Sequence, residues 1–242
     1  MNIFTQDATL DDLLTIARAK FTVAFEPITI DGRKLEILQI ADMSAYLDQL
    51  AANAQQKQLV LPFWAKLWPA STLLSYFVQR LPAPEGKTLL EIGAGLGLVG
   101  LFAAAVGFDA TISDLSEDSL LFCRINILKN GLAERARVRK VDFTSDRLEQ
   151  TFDYILGCEV LYREDDYRPL SKFLLRHLKT DSEAEAILST DYTREAKKFF
   201  QYVEKEFLVQ KKLIGYAAGK DNPDAKERCL CAIYRLKPRK HQ

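Results

Sequence analysis

The stretch LLEIGAGLGLVG, residues 89 to 100, decides how this chain is read. It opens on the apolar, strand-like residues 89–92 and breaks at Gly93, Gly95 and Gly97. It then resumes in the apolar run GLVGLFAAAVG, residues 97–107, which has helical character. A strand that enters a glycine turn and then a helix is a ligand-binding arrangement. Glycine takes positive φ freely and lets the backbone come close to a bound group. The first turn of the following helix offers N–H groups with no partner inside the helix. A tight strand-to-helix turn without a ligand is the plainer alternative.

Working outward, the same alternation continues. On the C-terminal side, strands are expected over residues 109–115, 136–141, 152–157 and 185–191. Helices are expected over 117–130, 166–178 and 194–207, with Pro169 inside the first turn of the second of these. Strands alternating with helices make a mostly parallel sheet covered on both faces. Two late strands, near 208–216 and 228–236, have no helix between them and close the sheet antiparallel. The fold class is therefore α/β, a Rossmann-like seven-strand sheet whose last strand is antiparallel. On the N-terminal side a helix is expected over residues 68–81. Before it lie a helix behind Thr9, two alternating runs joined by Asp31-Gly32, and a helix over residues 41–56. Asp-Gly between alternating apolar runs signals a hairpin. We expect an N-terminal helix, hairpin and helix at 1–58, appended to a main domain at 59–242.

Bulk composition narrows the partners. Of 242 residues, 48% are hydrophobic and 27% charged, ordinary values for a chain with a real core. Lysine plus arginine equals aspartate plus glutamate at 33 each, so no overall field attracts nucleic acid. The basic stretch at Lys237–Lys240 reads as a solvated tail. The four cysteines form no C-x-x-C pair, and two histidines do not complete a zinc site, so no metal is expected. Reduced thiols, the absence of a signal-like start and the lack of any apolar run near the ~20 residues of a membrane span suggest a cytoplasmic protein without a membrane partner. The sequence assigns no oligomeric state.

Two cofactor classes use such a glycine turn. Gly95, Gly97 and Gly100 fit the G-x-G-x-x-G dinucleotide pattern, and Asp114 falls near its acidic position. Three features favour S-adenosylmethionine instead. Glu91 stands inside the strand end, where a carboxylate suits an ammonium group and repels a pyrophosphate. Roughly ninety residues precede the motif, whereas dinucleotide folds usually begin with it. Too little chain follows the sheet for a separate substrate domain.

The residues E-I-G-A-G-L-G resemble the first motif of class I methyltransferases. The resemblance tightens toward the seven-strand protein-lysine methyltransferases. It rests on Trp64 and Trp68 in LPFWAKLWPAST, on Asp114 in SDL, and on Asn126 and Asn130. It rests also on Asp142-Phe143, where that branch more often has tryptophan, and on Glu159 and Tyr162 in GCEVLY. The hairpin ending in LEILQ is similar to the branch's own, and the likeness covers roughly residues 25–178. Glutamate stands at 159 where aspartate is commoner, and the resemblance does not place the first helix. PFWAKLWP is also similar to enzymes that modify an electron-transfer flavoprotein subunit.

The resemblance implies S-adenosylmethionine as cofactor and a protein substrate as partner. It implies that Gly93, Gly95 and Gly97 cradle the methionine part, with Glu91 toward its ammonium and Asp114 taking the ribose hydroxyls. Asp142 takes the adenine amino group, Phe143 lies along the ring, Cys158 lines the adenosine side and Trp68 walls the pocket. Glu159 and Tyr162 become the catalytic residues, Glu159 orienting the acceptor amine rather than acting as a strong base. Each has a bland counterpart: a helix cap for Asp114, a strand-end turn for Asp142, packing for Cys158 and Trp68, and an ion pair with Arg163 or another neighbour for Glu159. Three alternatives stand beside lysine methylation: a small amine as acceptor, a nucleic-acid base, and a non-catalytic cofactor-binding scaffold. The base is disfavoured because GCEVLY lacks the P-P-aromatic element that holds a flipped base.

Overall fold

The first helix, α1 (Leu10–Lys20), begins where Thr9 and Asp12 cap each other. The Asp12 N–H donates to Thr9 Oγ1 at 3.2 Å and the Thr9 N–H to Asp12 Oδ2 at 3.1 Å, a capping box. Strands β1 (Val23–Ile30) and β2 (Arg33–Ile40) then pair antiparallel around Asp31 and Gly32, with φ of 52° and 79°. Two successive left-handed residues make the hairpin turn that Asp-Gly favours. Helix α2 (Met43–Asn53) follows. The computed structural model describes residues 8–53, 61–82, 85–180, 183–217 and 228–239. The end of the helix expected to residue 56, and the boundary expected between residues 58 and 59, lie outside the described residues.

A short 3-10 turn at Phe63–Ala65 leads into α3 (Pro69–Val78), whose first residue is a proline with φ already suited to a helix. Next come β3 (Thr88–Ile92), α4 (Leu98–Val106), β4 (Asp109–Asp114), α5 (Glu117–Lys129), β5 (Ala136–Lys140), β6 (Tyr154–Cys158), α6 (Tyr167–His177), β7 (Glu185–Asp191) and α7 (Lys197–Val203). The chain closes with β8 (Phe207–Ala217) and β9 (Arg228–Pro238). Helix α7 starts later than the expected residue 194. Asp191 Oδ1 takes the Thr193 N–H at 2.9 Å and folds that stretch into a turn, and Ala196 is left-handed at φ 44°.

The seven strands lie in the order β5-β4-β3-β6-β7-β9-β8. The first five run parallel, and β9 enters antiparallel to both β7 and β8. Strand residues alternate between two apolar clusters. Leu89, Leu156 and Ile187 join one, while Leu90, Ile155 and Leu188 join the other. That alternation is what a sheet buried on both faces requires. The first cluster continues without a break into Leu13, Ala17, Ile37 and Leu38 of the N-terminal elements, beside Phe122 and Ile125 of α5.

Two asparagines fasten the hairpin to α5. Asn126 Oδ1 accepts from the Leu38 N–H at 2.7 Å, and Asn126 is fully buried. Asn130 pairs with both backbone groups of Glu36, accepting from its N–H at 2.9 Å and donating to its C=O at 2.8 Å. Each side chain thus does for the β2 edge what a neighbouring strand would do. Among the described residues no helix is long and apolar enough to cross a membrane.

Candidate active site

The chain enters the sheet at its centre with β3, winds outward to β5, and returns to lay β6 against the other side of β3. The reversal falls between the C-terminal ends of β3 and β6, the place where open α/β sheets form a ligand-binding crevice. The loops leaving those two strands meet there, since a Cβ on Gly93 would lie 3.0 Å from Val160 Cγ1. Parallel pairing sends the ends of β4, β5 and β7 to the same edge. Asp114, Asp142, Phe143, Cys158, Glu159 and Tyr162 therefore gather at one side of the molecule although 48 positions separate the first from the last. Trp68 joins them through α3, because Ser189 Oγ near the end of β7 donates to the Ala70 carbonyl at 3.3 Å.

The glycine loop is held tightly. Gly93, Gly95 and Gly97 have φ of 58°, 57° and 76°, a region costly to any residue with a Cβ. A Cβ on Gly95 would also stand 2.8 Å from the Trp64 carbonyl oxygen, and one on Gly97 would stand 2.9 Å from Cys123 Sγ. Trp64 itself packs inward, its ring edge-on to Phe122 at 5.0 Å and to Phe21 at 5.8 Å. Ser119 Oγ donates to the Gly95 carbonyl at 2.6 Å and Cys123 Sγ lies 3.3 Å from the same oxygen. Sequence reasoning passed over Ser119 and Cys123. Their one-turn spacing on α5, four residues apart, was the available signal.

Glu91 lies beneath this loop, not beside it. Its carboxylate is buried and accepts the Gly100 N–H at 2.8 Å. Because Gly97, at the N-cap of α4, has no side chain to offer, Glu91 caps the helix from inside the core. Burial pushes its carboxyl up to about 8, against the pull of the Gly100 and Val99 N–H groups. Gly100 is required by this contact, since a Cβ there would come 2.7 Å from Glu91 Oε2 and 2.5 Å from Ile112 Cγ1.

Asp114 organises the upper side of the loop. Oδ2 accepts the Gly95 N–H and Oδ1 the Ser116 N–H, each at 2.9 Å. A carboxylate has about four acceptor positions, so each oxygen retains one for a ligand hydroxyl. Asp142 accepts the Thr144 N–H at 2.8 Å and its hydroxyl at 2.5 Å, bonds that hold its carboxyl below the usual range. Phe143 packs half-buried against the second apolar cluster. Burial pushes the Cys158 thiol up. The Trp68 indole N–H donates to the Phe63 carbonyl at 3.1 Å, and Lys66 Nζ sits 4.5 Å from the ring centroid.

Glu159 is the most constrained residue of the edge. Its φ is 53°, left-handed for a residue with a full side chain. Such a conformation costs of order 1–2 kcal/mol and persists only where its surroundings hold it. Its Oε1 accepts the Asp191 N–H at 2.7 Å, its Oε2 the Thr190 hydroxyl at 3.2 Å, and Arg194 Nε stands 3.6 Å from Oε2. Burial raises its carboxyl, opposed by these donors. The expected partner Arg163 pairs elsewhere, with Asp166 at 3.6 Å. Thr190, Asp191 and Arg194 went unrecognised from sequence, where STDYTR read only as a strand passing into a helix. Tyr162 is 60% exposed, and Tyr192, from the neighbouring loop, is also exposed.

The donor set fits S-adenosylmethionine. Asp114 retains acceptor positions at the crevice, Asp142 lies on the next strand end, and a carboxylate-rich edge suits a cationic cofactor and repels a pyrophosphate. The arrangement can hold such a cofactor over β3 and β4 and receive an acceptor over β6 and β7.

Comparison with known proteins agrees. A family model described as lysine methyltransferase matches residues 48–206. The chain is 31% identical to protein N-lysine methyltransferase METTL21A of Mus musculus over 166 residues, 65% of this chain and 73% of that protein. It is 34% identical over 123 residues to EEF1A lysine methyltransferase 3 of Mus musculus, 47% of this chain and 50% of that protein. Among solved structures, the N-methyltransferase NodS of Bradyrhizobium japonicum superposes with a TM-score of 0.54 at 14% identity, covering 82% of this chain and 99% of that one, a likeness of fold.

Proposed function

Because this chain belongs to the lysine methyltransferase family, we propose that it methylates a lysine amine presented by a partner protein. It is an S-adenosylmethionine-dependent methyltransferase. When bound, the cofactor supplies a methyl group on a positively charged sulfur. The chain's own residues divide the remaining work. Gly93, Gly95 and Gly97 shape the floor of the crevice, with Glu91 bracing them from below. Asp114 takes the ribose hydroxyls, Asp142 and Phe143 the adenine, and Cys158 and Trp68 close its sides. Glu159 and Tyr162 align the incoming amine, so that its lone pair points along the displacement axis. A protein acceptor is supported by the printed activities of the relatives, which act on lysine in proteins. The free thiols of Cys123 and Cys158 support a reducing compartment, and we place the enzyme in the cytoplasm.

The observation that carries this reading is the placement of two bonded carboxylates, Asp114 and Glu159, on opposite sides of the β3–β6 reversal. Two substitutions separate their roles. Asp114→Ala should weaken cofactor binding by about 1.5–3 kcal/mol, the scale of lost charge-assisted hydrogen bonds. Glu159→Gln keeps an oxygen for the Asp191 N–H, so it should retain cofactor affinity and lose ~10²-fold or more in turnover. Calorimetric titration and methyl transfer to whole-cell extract protein measure both. Full turnover in Glu159→Gln, or unaltered affinity in Asp114→Ala, contradicts the division.

A further inference from the structure

Arg194 stands out at the acceptor side of the crevice. It comes from the turn after β7, held by the Arg194 N–H donating to the Asp191 carbonyl at 3.1 Å. Its Nε is buried and has no hydrogen-bond partner among the described residues. That atom lies 3.6 Å from Glu159 Oε2, close enough for an ion pair and too far for a hydrogen bond. Glu159 and Arg194 remain 13% and 38% exposed, so an arriving side chain can reach the pair.

A lysine that approaches a bare carboxylate stays an ammonium, because the negative charge favours its protonated form. The ammonium has no lone pair to give. Its proton must pass to water before the nitrogen can act. A cation beside the carboxylate removes that obstacle and disfavours a second positive charge nearby. We propose that Arg194 is a positioning residue for the acceptor, its guanidinium balancing the Glu159 carboxylate so that lysine is held by hydrogen bonds as the free amine. This rests on Glu159 facing the acceptor, as set out above. The groups bearing on Glu159 are consistent with it. Thr190 and the Asp191 N–H donate to its oxygens, Arg194 is the cation acting on it, and Asp191 is the opposing negative charge. Cys158, its neighbour at the end of β6, is held as a neutral thiol by burial. Asp191 Oδ1 is occupied by the Thr193 N–H and hydroxyl.

The test is the pH dependence of tritium transfer from labelled S-adenosylmethionine to whole-cell extract protein, paired with a carbon-13 NMR titration of glutamate carboxyls. The Glu159 resonance is the one absent in Glu159→Gln. Arg194→Met should move the midpoint of the rate profile up by about one pH unit, a ~10-fold loss of free amine at fixed pH. It should raise the Glu159 titration in parallel and leave cofactor affinity unchanged. Arg194→Lys should restore both midpoints. Asp191→Asn, which removes the opposing charge and retains an oxygen for Thr193, should move the rate midpoint down, so a result is obtained even if Arg194→Met does not fold. A rate that falls equally at every pH, with midpoints unmoved in all three variants, overturns the proposal. If Glu159→Gln loses turnover while those midpoints stay fixed, this inference alone fails. If Glu159→Gln keeps full turnover, the reading beneath it fails as well.

Discussion

Glu91 sits in the core and holds the first turn of α4 from inside, accepting the Gly100 N–H. The sequence puts an acid next to a glycine turn, and chemistry connects it with a cationic ligand. The fold instead turns it inward, because residues alternate along β3 and the apolar faces are already assigned. Its measurable signature is a pH effect on stability. The folded carboxyl is raised to about 8, whereas the unfolded group sits near 4.5. Between those values the folded state keeps a proton that the unfolded chain releases, so stability is greatest below the unfolded value and falls as pH rises through about 8. The slope cannot exceed about 1.4 kcal/mol per pH unit. Glu91→Gln, which still accepts the Gly100 N–H, should abolish this component. Urea melts between pH 5 and 9 check it, and an identical slope in the two proteins contradicts the assignment. Asp114 was more legible, because its position at the end of β4 follows from strand length alone. That Glu159 falls just past the end of β6 was legible, but its left-handed backbone and its ties to Thr190, Asp191 and Arg194 depend on β6 pairing with β7, a partnership between segments about thirty residues apart.

At the scale of elements, the strands and helices around the glycine loop were readable from apolar periodicity, and the Asp31-Gly32 hairpin from turn chemistry. The manner in which the hairpin docks was not. Asn126 and Asn130 looked like part of a family pattern at the second strand's exit, yet they serve as surrogate edge partners for Leu38 and Glu36, 88 and 94 positions away. Nothing local distinguishes an asparagine that bonds a ligand from one that bonds a distant backbone. Asn126→Ala leaves the buried Leu38 N–H without its acceptor, and such a loss costs about 1–3 kcal/mol. The variant should unfold at correspondingly lower urea while faster amide exchange appears first in residues 23–40. Unchanged stability and unchanged exchange in the hairpin would show that the apolar contacts alone hold it. The shortening of α7 has a similar origin, since the Asp191–Thr193 turn and left-handed Ala196 override helix propensity before Lys197.

For the whole molecule, the order of elements made a parallel sheet with an antiparallel closing strand foreseeable, and the chain reversal at β3 then marks the sheet edge where open α/β folds bind ligands. What the linear pattern withheld was the face at the ends of β6 and β7, where Tyr162 and Tyr192 are exposed and where we propose the acceptor docks. On that proposal, the exposure of this face is the physical basis for expecting a large acceptor rather than an enclosed small one. The most direct measurement is incubation of the protein with methyl-labelled S-adenosylmethionine and whole-cell extract, followed by protease or nuclease treatment and mass spectrometry of the labelled material. The account predicts label in protein, sensitive to protease and indifferent to nuclease, recovered as methyllysine and reduced at least ~10²-fold with Glu159→Gln. Label recovered in nucleic acid or in small molecules, with none in protein lysine, would contradict it.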